Sequence, residues 1–458
     1  MLAQDTISAI ATGMSEGGIG IVRMSGPDSL CIGDMLFQSF KGTGLSERPP
    51  RTAVYGCVVE KDPRQIVDEA IAIYMPGPHS YTGEDVIELQ CHGSPLVLRK
   101  VLALSLKAGA RLADPGEFTM RAFLNGRIDL VQAEAVMNII QAKSERALRI
   151  AVEQQQGALS VRVRKMTAAL RATIAHLEAV IDYPEEDIEE LSADAAMEVA
   201  EKTAQEINLL LAGAKDGRVM REGLRTVLVG RPNVGKSTLL NALLAEERAI
   251  VSDIPGTTRD TLEEVLTVKG IPLILVDTAG IRETGDEIEK MGVSRSKKQL
   301  EQADLTVLLL DGSQPITADD QQLLTQVQDR SLIVVLNKTD IAATLDETVL
   351  QGKTVVRLSA LTGEGLASLS DAIVEKALGA HALQAEESAI IGSVRQEIQL
   401  KQAAAALQSA LQSHAVGMPL DCLIIDLRAC LESLGQITGE HASEDILAEI
   451  FSRFCIGK

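Results

Sequence analysis

Aromatic side chains are scarce. They make up 2% of the 458 residues, and tryptophan is absent. The cores must therefore be built from Leu, Ile, Val and Ala, and 46% hydrophobic residues is enough for sizeable ones. Positive charge is also in deficit, with 44 Lys and Arg against 64 Asp and Glu and a formal net charge of −20. Such a chain is no general polyanion binder, so any nucleic-acid contact needs a local basic patch. Cysteine pairs are missing. Cys31, Cys57, Cys91, Cys422, Cys430 and Cys455 are scattered and none forms C-x-x-C, which suggests neither a zinc site nor a disulfide framework. No cationic stretch followed by an apolar segment opens the chain, and no uncharged apolar run reaches membrane-spanning length. A cytoplasmic protein with reduced thiols and no membrane anchor is expected.

What is present centres on Gly230-Arg231-Pro232-Asn233-Val234-Gly235-Lys236-Ser237, which fits G-x-x-x-x-G-K-[ST]. Val227-Leu228-Val229 before it reads as a buried strand. The run from Thr238 through Leu239, Leu240, Leu243 and Leu244 has helical spacing. Glycines let backbone N–H groups wrap phosphates, Lys236 adds a point charge, and Ser237 can hold Mg²⁺. Further elements follow in order. Asp277-Thr278-Ala279-Gly280 comes after the strand Ile274–Val276, where Asp277 can reach the Mg²⁺ shell and Gly280 can offer its N–H to a γ-phosphate. Asn337-Lys338-Thr339-Asp340 fits N-K-x-D, whose Asp accepts two hydrogen bonds from a guanine edge that adenine cannot supply. Ser359-Ala360-Leu361 matches the last guanine-contacting loop. In the stretch Ser252, Asp253, Ile254, Pro255, Gly256, Thr257, Thr258 and Arg259, Thr258 is placed to complete the Mg²⁺ shell. One departure bears on mechanism: Ile281 stands where Ras-like GTPases carry a water-positioning Gln. Asp286, Glu287 and Glu289 are acidic candidates to replace it, and Arg259 and Arg282 are candidate charge stabilisers or ordinary solvated arginines.

Around this core, residues 1–120 mix strand and helix signals and read as an α+β domain. Strands are expected at 17–23, 67–74 and 86–90, with a helix to Lys107. Residues 121–220 read as helices, with the acidic run Glu185–Asp187 a solvated loop, Ser192 a helix cap and the helix after it ending near Gly213. Residues 221–380 alternate strand and helix, with strands at 226–229, 273–276, 307–310, 333–336 and 355–358, implying a mostly parallel sheet covered on both faces. Residues 381–458 return to helix. One helix is expected at 386–413. Leu420, Leu423, Leu427, Cys430 and Leu434 form a stripe that Gly435 is expected to stop, and Ser443 caps a final helix. The helices on either side of the inserted P-loop domain are expected to pack together.

The ends of the chain carry a family resemblance. Leu434-Gly435-x-Ile437-Thr438-Gly439-Glu440, the terminal Phe454-Cys455-Ile456-Gly457-Lys458, Pro115–Asn125 and Tyr81-Thr82-Gly83-Glu84-Asp85 resemble the MnmE (TrmE) family of tRNA-modification GTPases, from Asp5 to Lys458. The resemblance implies a multidomain α/β and α protein. An N-terminal tetrahydrofolate-binding and dimerisation domain is joined to a helical bundle built from two chain segments, with a Ras-like GTPase domain inserted. It implies a homodimer that works with the FAD protein MnmG (GidA), in a heterotetramer-type complex, on the wobble uridine of tRNA. An aminomethyl-type group would be added at carbon 5 from a folate one-carbon unit, in 5-formyl or methylene form. It implies G domains that pair across K⁺, with Asn233, Ser252, Ile254 and Thr257 as K⁺ ligands and Glu289 positioning the attacking water. Arg23, Glu88, Arg127 and Lys458 align with folate-ligand positions. Lys236, Glu289 and Cys455 are the candidate catalytic residues. Cys455 has two readings, one near the modification centre and one as a partly buried thiol on an apolar helix face; a prenylation box is discounted because Gly457 is not aliphatic and no polybasic segment precedes it. An Era-like GTPase switch in ribosome assembly is the alternative function.

Overall fold

The computed structural model describes residues 5–61, 64–183, 193–246, 264–276, 303–342, 344–378 and 391–458. The chain divides into two compact units. One is Met1–Met137 with Gly435–Lys458, and the other is Asn138–Leu434.

The first unit holds seven strands: β1 (Ile7–Ile10), β2 (Gly17–Ser25), β3 (Phe37–Ser39), β4 (Ala53–Lys61), β5 (Arg64–Met75), β6 (Val86–Gly93) and β7 (Arg111–Leu112). They form one sheet in the order β3-β4-β5-β6-β2-β1-β7, antiparallel except for β1 beside β7. The two-residue period decides which side is core. Val22, Met24, Ile87 and Leu89 are fully buried and pack with Leu98 and Val101 of the helix Pro95–Lys107. Arg23 and Glu88 alternate with them and take the opposite face. The expected strands lie inside β2, β5 and β6, and the expected helix ends at Lys107 with Pro95 in its first turn. Strand β4 was not legible. Its Gly56 breaks the apolar alternation, and it is there because a Cβ would collide with the Gln38 carbonyl. A second core joins Leu130, Ala133 and Met137 to Phe451 and Phe454 at the chain's end.

The second unit contains the helices Glu145–Gln155, Ala158–Asp182, Ala193–Glu222 and Val394–Ala415, with most of Leu420–Thr438. Helices from before and after the inserted domain do pack together. Val394–Ala415 runs against Ala193–Glu222. Arg428 Nη2 meets Glu178 Oε1 at 2.5 Å, and His414 Nε2 lies 2.9 Å from Asp194 Oδ1. Gln154 and Gln396, both fully buried, meet at 3.5 Å.

Three helix ends differ from expectation. The helix from Ala193 passes Gly213 and stops only at Gly223, whose φ of +84° lets its N–H bond Val219 O at 3.0 Å. The helix expected from 386 begins at Val394, capped by Ser393 accepting from Gln396 N. Gly435 does not stop its helix; Gly439, at φ +92°, does. Gly435 is a glycine for space, because a Cβ there would collide with the His441 ring. Ser443 caps the last helix as expected, accepting from Ile446 N. Ser192, Pro184 and the run 185–187 lie outside the described residues.

Among its described residues the inserted domain has a six-stranded sheet: β8 (Leu224–Val229), β9 (Glu264–Val268), β10 (Ile271–Val276), β11 (Leu305–Asp311), β12 (Leu332–Asn337) and β13 (Thr354–Arg357). The order is β13-β12-β11-β8-β10-β9, parallel throughout except for β9 against β10. Alternate residues feed two cores, Val307, Leu309, Ile333 and Val335 on one face and Leu308, Leu310, Val334 and Leu336 on the other. That is why these strands read as unbroken apolar runs. The antiparallel edge strand β9 was not anticipated; a two-residue turn, Lys269-Gly270, with both φ values positive, joins it to β10.

Candidate functional site

The loop 230–235 leaves the end of β8 and enters the helix Lys236–Glu246. Its shape is imposed by space. A Cβ at Gly230 would lie 2.6 Å from Leu309 O. Asn233 sits at φ +63° and Gly235 at +101°, the left-handed region that Asn tolerates and Gly favours. Val234 anchors the loop by burying its side chain in the domain core. Lys236 Nζ donates to Gly230 O at 2.5 Å and Arg231 O at 2.9 Å, and burial pushes its pKa below the ordinary lysine value. Ser237 and Thr238 are exposed in the first turn of the helix, whose N-terminal amides favour anions.

Asn337 joins this loop to the other two described motifs. Its Nδ2 donates to Val234 O at 2.8 Å, and its Oδ1 accepts from Ala360 N at 2.9 Å. A Cβ at Gly235 would collide with that same Nδ2, so the second invariant glycine of the motif makes room for Asn337. Lys338, at φ +67°, pairs with Asp311 at 2.7 Å. Asp340 is exposed two residues on, and Thr339 N reaches Leu358 O at 3.3 Å. Ser359 is fully buried, Ala360 nearly so, and Leu361 is exposed. The structure thus brings 230–238, 337–340 and 359–361 to one end of the sheet. Arg231, inside the loop, is held by Asp320 at 2.8 Å, a contact that sequence reading missed.

Ser252, Asp253, Ile254, Pro255, Gly256, Thr257, Thr258 and Arg259 lie outside the described residues. So do Asp277, Thr278, Ala279, Gly280, Ile281, Arg282, Asp286, Glu287 and Glu289. Among the described residues, no group of His, Cys, Asp and Glu is arranged to hold a metal ion.

In the first unit, Arg23 and Glu88 are register partners across β2 and β6, linked at 2.8 Å. The guanidinium of Arg23 stands 5.4 Å from the Tyr81 ring centroid, and that of Arg127 stands 5.5 Å from it. Arg127 also donates to Tyr81 O at 2.9 Å. Arg23 and Arg127 therefore flank one aromatic ring, to which sequence reading gave its motif but no role, and Glu88 joins them through Arg23. Lys458 is partly buried. Gly457 before it packs on Ile10 and Ala11, and β1 sets Ala9 opposite Arg23.

Two of the family-like motifs of this unit, Tyr81–Asp85 and Pro115–Asn125, meet through Arg121, which is 3% exposed. Its Nη2 lies 2.6 Å from Asp5 Oδ1, and its Nη1 lies 3.0 Å from Glu84 Oε2. Glu117 approaches at 3.5 Å. Burial alone would raise the Asp5 carboxyl, but the Arg111 and Arg121 guanidiniums hold it below the ordinary carboxylate value. Tyr81 Oη bonds Thr119 Oγ1 at 2.8 Å, and Asn125 Nδ2 donates to Thr82 O at 2.8 Å. Cys455 corrects one expectation. It is exposed and lies beyond the last helix, so it is not a partly buried thiol on a helix face. All six cysteines are free.

A parallel sheet, a glycine loop feeding a helix, and an Asn-Lys-x-Asp loop tied to it by Asn337 define a P-loop GTP-binding protein. The flanking regions say which. Residues 130–455 match the MnmE helical domain, and residues 6–127 match the GTP-binding protein TrmE N-terminus. The chain is 44% identical to the tRNA modification GTPase MnmE of Alkaliphilus metalliredigens over the full length of both. It is 45% identical to that of Bacillus subtilis over 99% of this chain and all of the other, and 46% identical to that of Lactiplantibacillus plantarum over 99% and 98%. The chain belongs to the MnmE family of tRNA modification GTPases, which decides against the Era-like alternative. No helix among the described residues is long and apolar enough to cross a membrane.

Proposed function

We propose that this chain hydrolyses GTP in a K⁺-dependent way and couples hydrolysis to modification of carbon 5 of the tRNA wobble uridine. In that reading it acts in the cytoplasm as a homodimer with the FAD protein MnmG, and a tetrahydrofolate derivative supplies the one-carbon unit. The single observation that carries the GTP part is Asn337, whose side chain ties the phosphate loop to the 359–361 loop at the end of the sheet where Asp340 follows two residues after Lys338. The overall reading is tested by mass spectrometry of wobble uridine in tRNA from cells lacking this protein; unchanged modification would overturn it.

Four domains follow from the same reading, with boundaries at 120/121, 220/221 and 380/381. Ser237 and Thr258 would hold Mg²⁺, and Lys236 would meet the phosphates beside it. Bound Mg²⁺ and K⁺ supply positive charge where negative charge develops on the phosphates. Asn233, exposed at the left-handed turn of the loop, suits a K⁺ ligand, with Ser252, Ile254 and Thr257 completing the set. Ile281 has no polar side-chain atom, so Glu289 orients the attacking water. Glu289→Ala measured in K⁺ should lower kcat while KM barely moves, the pattern of a lost transition-state interaction. A kcat within about twofold of wild type would move the role to Glu287, Asp286 or Arg282. Equal turnover in Na⁺ and K⁺ would remove the cation from the mechanism.

Folate is assigned to the surface around Tyr81. The Glu88 carboxylate suits the pterin amino and ring N–H groups, and Arg23, Arg127 and Lys458 suit the glutamate tail. Cys455, exposed on the same C-terminal peptide as Lys458, is the candidate group nearest the modification chemistry. Calorimetry with 5-formyltetrahydrofolate should show Arg23→Ala weakening binding by roughly tenfold or more, since a charge-assisted contact is worth about 1.5–3 kcal/mol. Unaltered affinity would take Arg23 out of the site.

A further inference from the structure

We propose that Asp311, at the C-terminal end of β11, is a positioning residue for guanine selectivity that acts through Lys338. The inference rests on the guanine reading of the 337–340 loop. Asp311 belongs to none of the nucleotide motifs, and its side chain is 5% exposed. Its Oδ2 takes Lys338 Nζ at 2.7 Å. Its Oδ1 accepts from Ser313 N at 3.0 Å and from Ser313 Oγ at 2.6 Å. Burial alone would raise this carboxyl; the Lys338 ammonium and the Ser313 donors hold it below the ordinary carboxylate value.

The turn that carries Asp311 grips the guanine loop at both ends. Gly312 N donates to Asn337 O at 2.8 Å. Thr344 N donates to Gly312 O at 3.2 Å, and Thr344 Oγ1 donates to Ser313 O at 2.7 Å. Lys338 sits between those ends at φ +67°, a backbone conformation that a long side chain adopts only when its surroundings hold it. The ion pair to Asp311 is the side-chain part of that hold, beside the backbone bonds Thr339 N to Leu358 O at 3.3 Å and Ile341 N to Lys338 O at 3.1 Å. Asp340, two residues further, is exposed, so its carboxylate is placed by the backbone of this loop rather than by packing of its own. Releasing Lys338 lets the loop relax, and the error falls on Asp340. Misplacement by about 1 Å is enough to cost an oriented contact up to 10²-fold.

The test uses the full chain and competition binding of GDP, IDP and ADP. GDP keeps the γ-phosphate machinery out of the reading, and IDP lacks the exocyclic amino group that Asp340 accepts. Asp311→Asn keeps an acceptor for Ser313 and removes the charge facing Lys338. Its GDP affinity should fall about tenfold, the scale of one charge-assisted contact, and its GDP-over-IDP ratio should shrink several-fold. At saturating GTP its kcat should stay within about twofold, as for any interaction used equally in ground and transition states. Ser313→Ala, which takes two donors down to one, should shift the same ratio by less and serves if Asp311→Asn does not fold. A ratio unchanged in both variants, whatever happens to melting temperature, leaves Asp311 a structural residue and overturns the proposal. A wild-type chain that binds GDP no better than ADP overturns the guanine reading beneath it instead.

Discussion

Arg121→Met is expected to destabilise the N-terminal unit by about 3–5 kcal/mol, the usual cost of removing one partner from a buried ionic cluster. The size follows from what Arg121 leaves behind. Asp5 and Glu84 lie 2.6 and 3.0 Å from its guanidinium, and Glu117, itself 6% exposed, lies 3.5 Å away. Arg111 still reaches Asp5 and Glu117, but among the described residues the Glu84 carboxylate keeps only Ser25 Oγ, at 2.8 Å. In the variant, Asp5 and Glu117 share the one guanidinium of Arg111, and the Glu84 carboxylate loses its cation. Methionine fills the volume, so the loss is electrostatic rather than a cavity. Tyrosine fluorescence in urea reads it out. The chain has no Trp and four Tyr, and three of them, Tyr55, Tyr74 and Tyr81, are in this unit. The sign with pH is also fixed. Asp5 has a depressed folded pKa, so its contribution is present above its unfolded value and is lost as pH falls through the folded one. The gap between variant and wild type should therefore be widest near neutrality and close in acid. A shift under about 1 kcal/mol at pH 7 would mean that desolvation had already cancelled the attraction.

Arg121 also shows why parts of the site could not be read from the sequence. Its motif, Pro115–Asn125, stood out as a family signature, and so did Tyr81–Asp85. Nothing in either stretch says that the two touch; only the sheet brings Glu84 beside Arg121 and Tyr81 Oη beside Thr119 Oγ1. The nucleotide end was far more legible. There each function belongs to a strand-end loop, and parallel strands with short connections deliver all their C-terminal loops to the same edge. The order of the motifs therefore already implied their meeting. What remained hidden was support. Asp311 and Asp320 are ordinary acidic residues in sequence, and their partners Lys338 and Arg231 are 27 and 89 residues away. The misplaced helix stops have a common cause. Gly213 and Gly435 are interior helix glycines, and at 435 the reason is a neighbouring ring that no local pattern reveals. Strand β9 was missed because an edge hairpin of five residues is short and one-sided, unlike the fully buried runs of β11 and β12.

Asp340→Asn is expected to weaken GTP binding by about 10²–10³-fold and to admit xanthosine triphosphate at near wild-type strength. A carboxylate at 340 accepts from guanine N1–H and from the exocyclic amino group, and each hydrogen bond to a charged group is worth about 1.5–3 kcal/mol. The amide keeps one acceptor and turns an NH₂ towards a donor, so one contact is lost and another becomes repulsive. Xanthine carries a carbonyl where guanine carries its amino group, which restores the match. The geometry argues that this exchange stays local. Asp340 is exposed and has no side-chain hydrogen bond among the described residues, whereas Asn337 and Lys338 carry the bonds to Val234, Ala360 and Asp311. Folding should be untouched and melting temperature should move by less than a few degrees, because exposed substitutions usually stay within about 0.5 kcal/mol. Asn337→Ala makes the contrast. It strands a buried carbonyl and a buried N–H, at a cost of about 1–3 kcal/mol each, and should lower stability and binding of every nucleotide alike. Competition binding with GTP, XTP and ATP on the two variants separates the roles. Loss of GTP affinity in Asp340→Asn without any gain for XTP would show that residue 340 holds the loop and does not read the base.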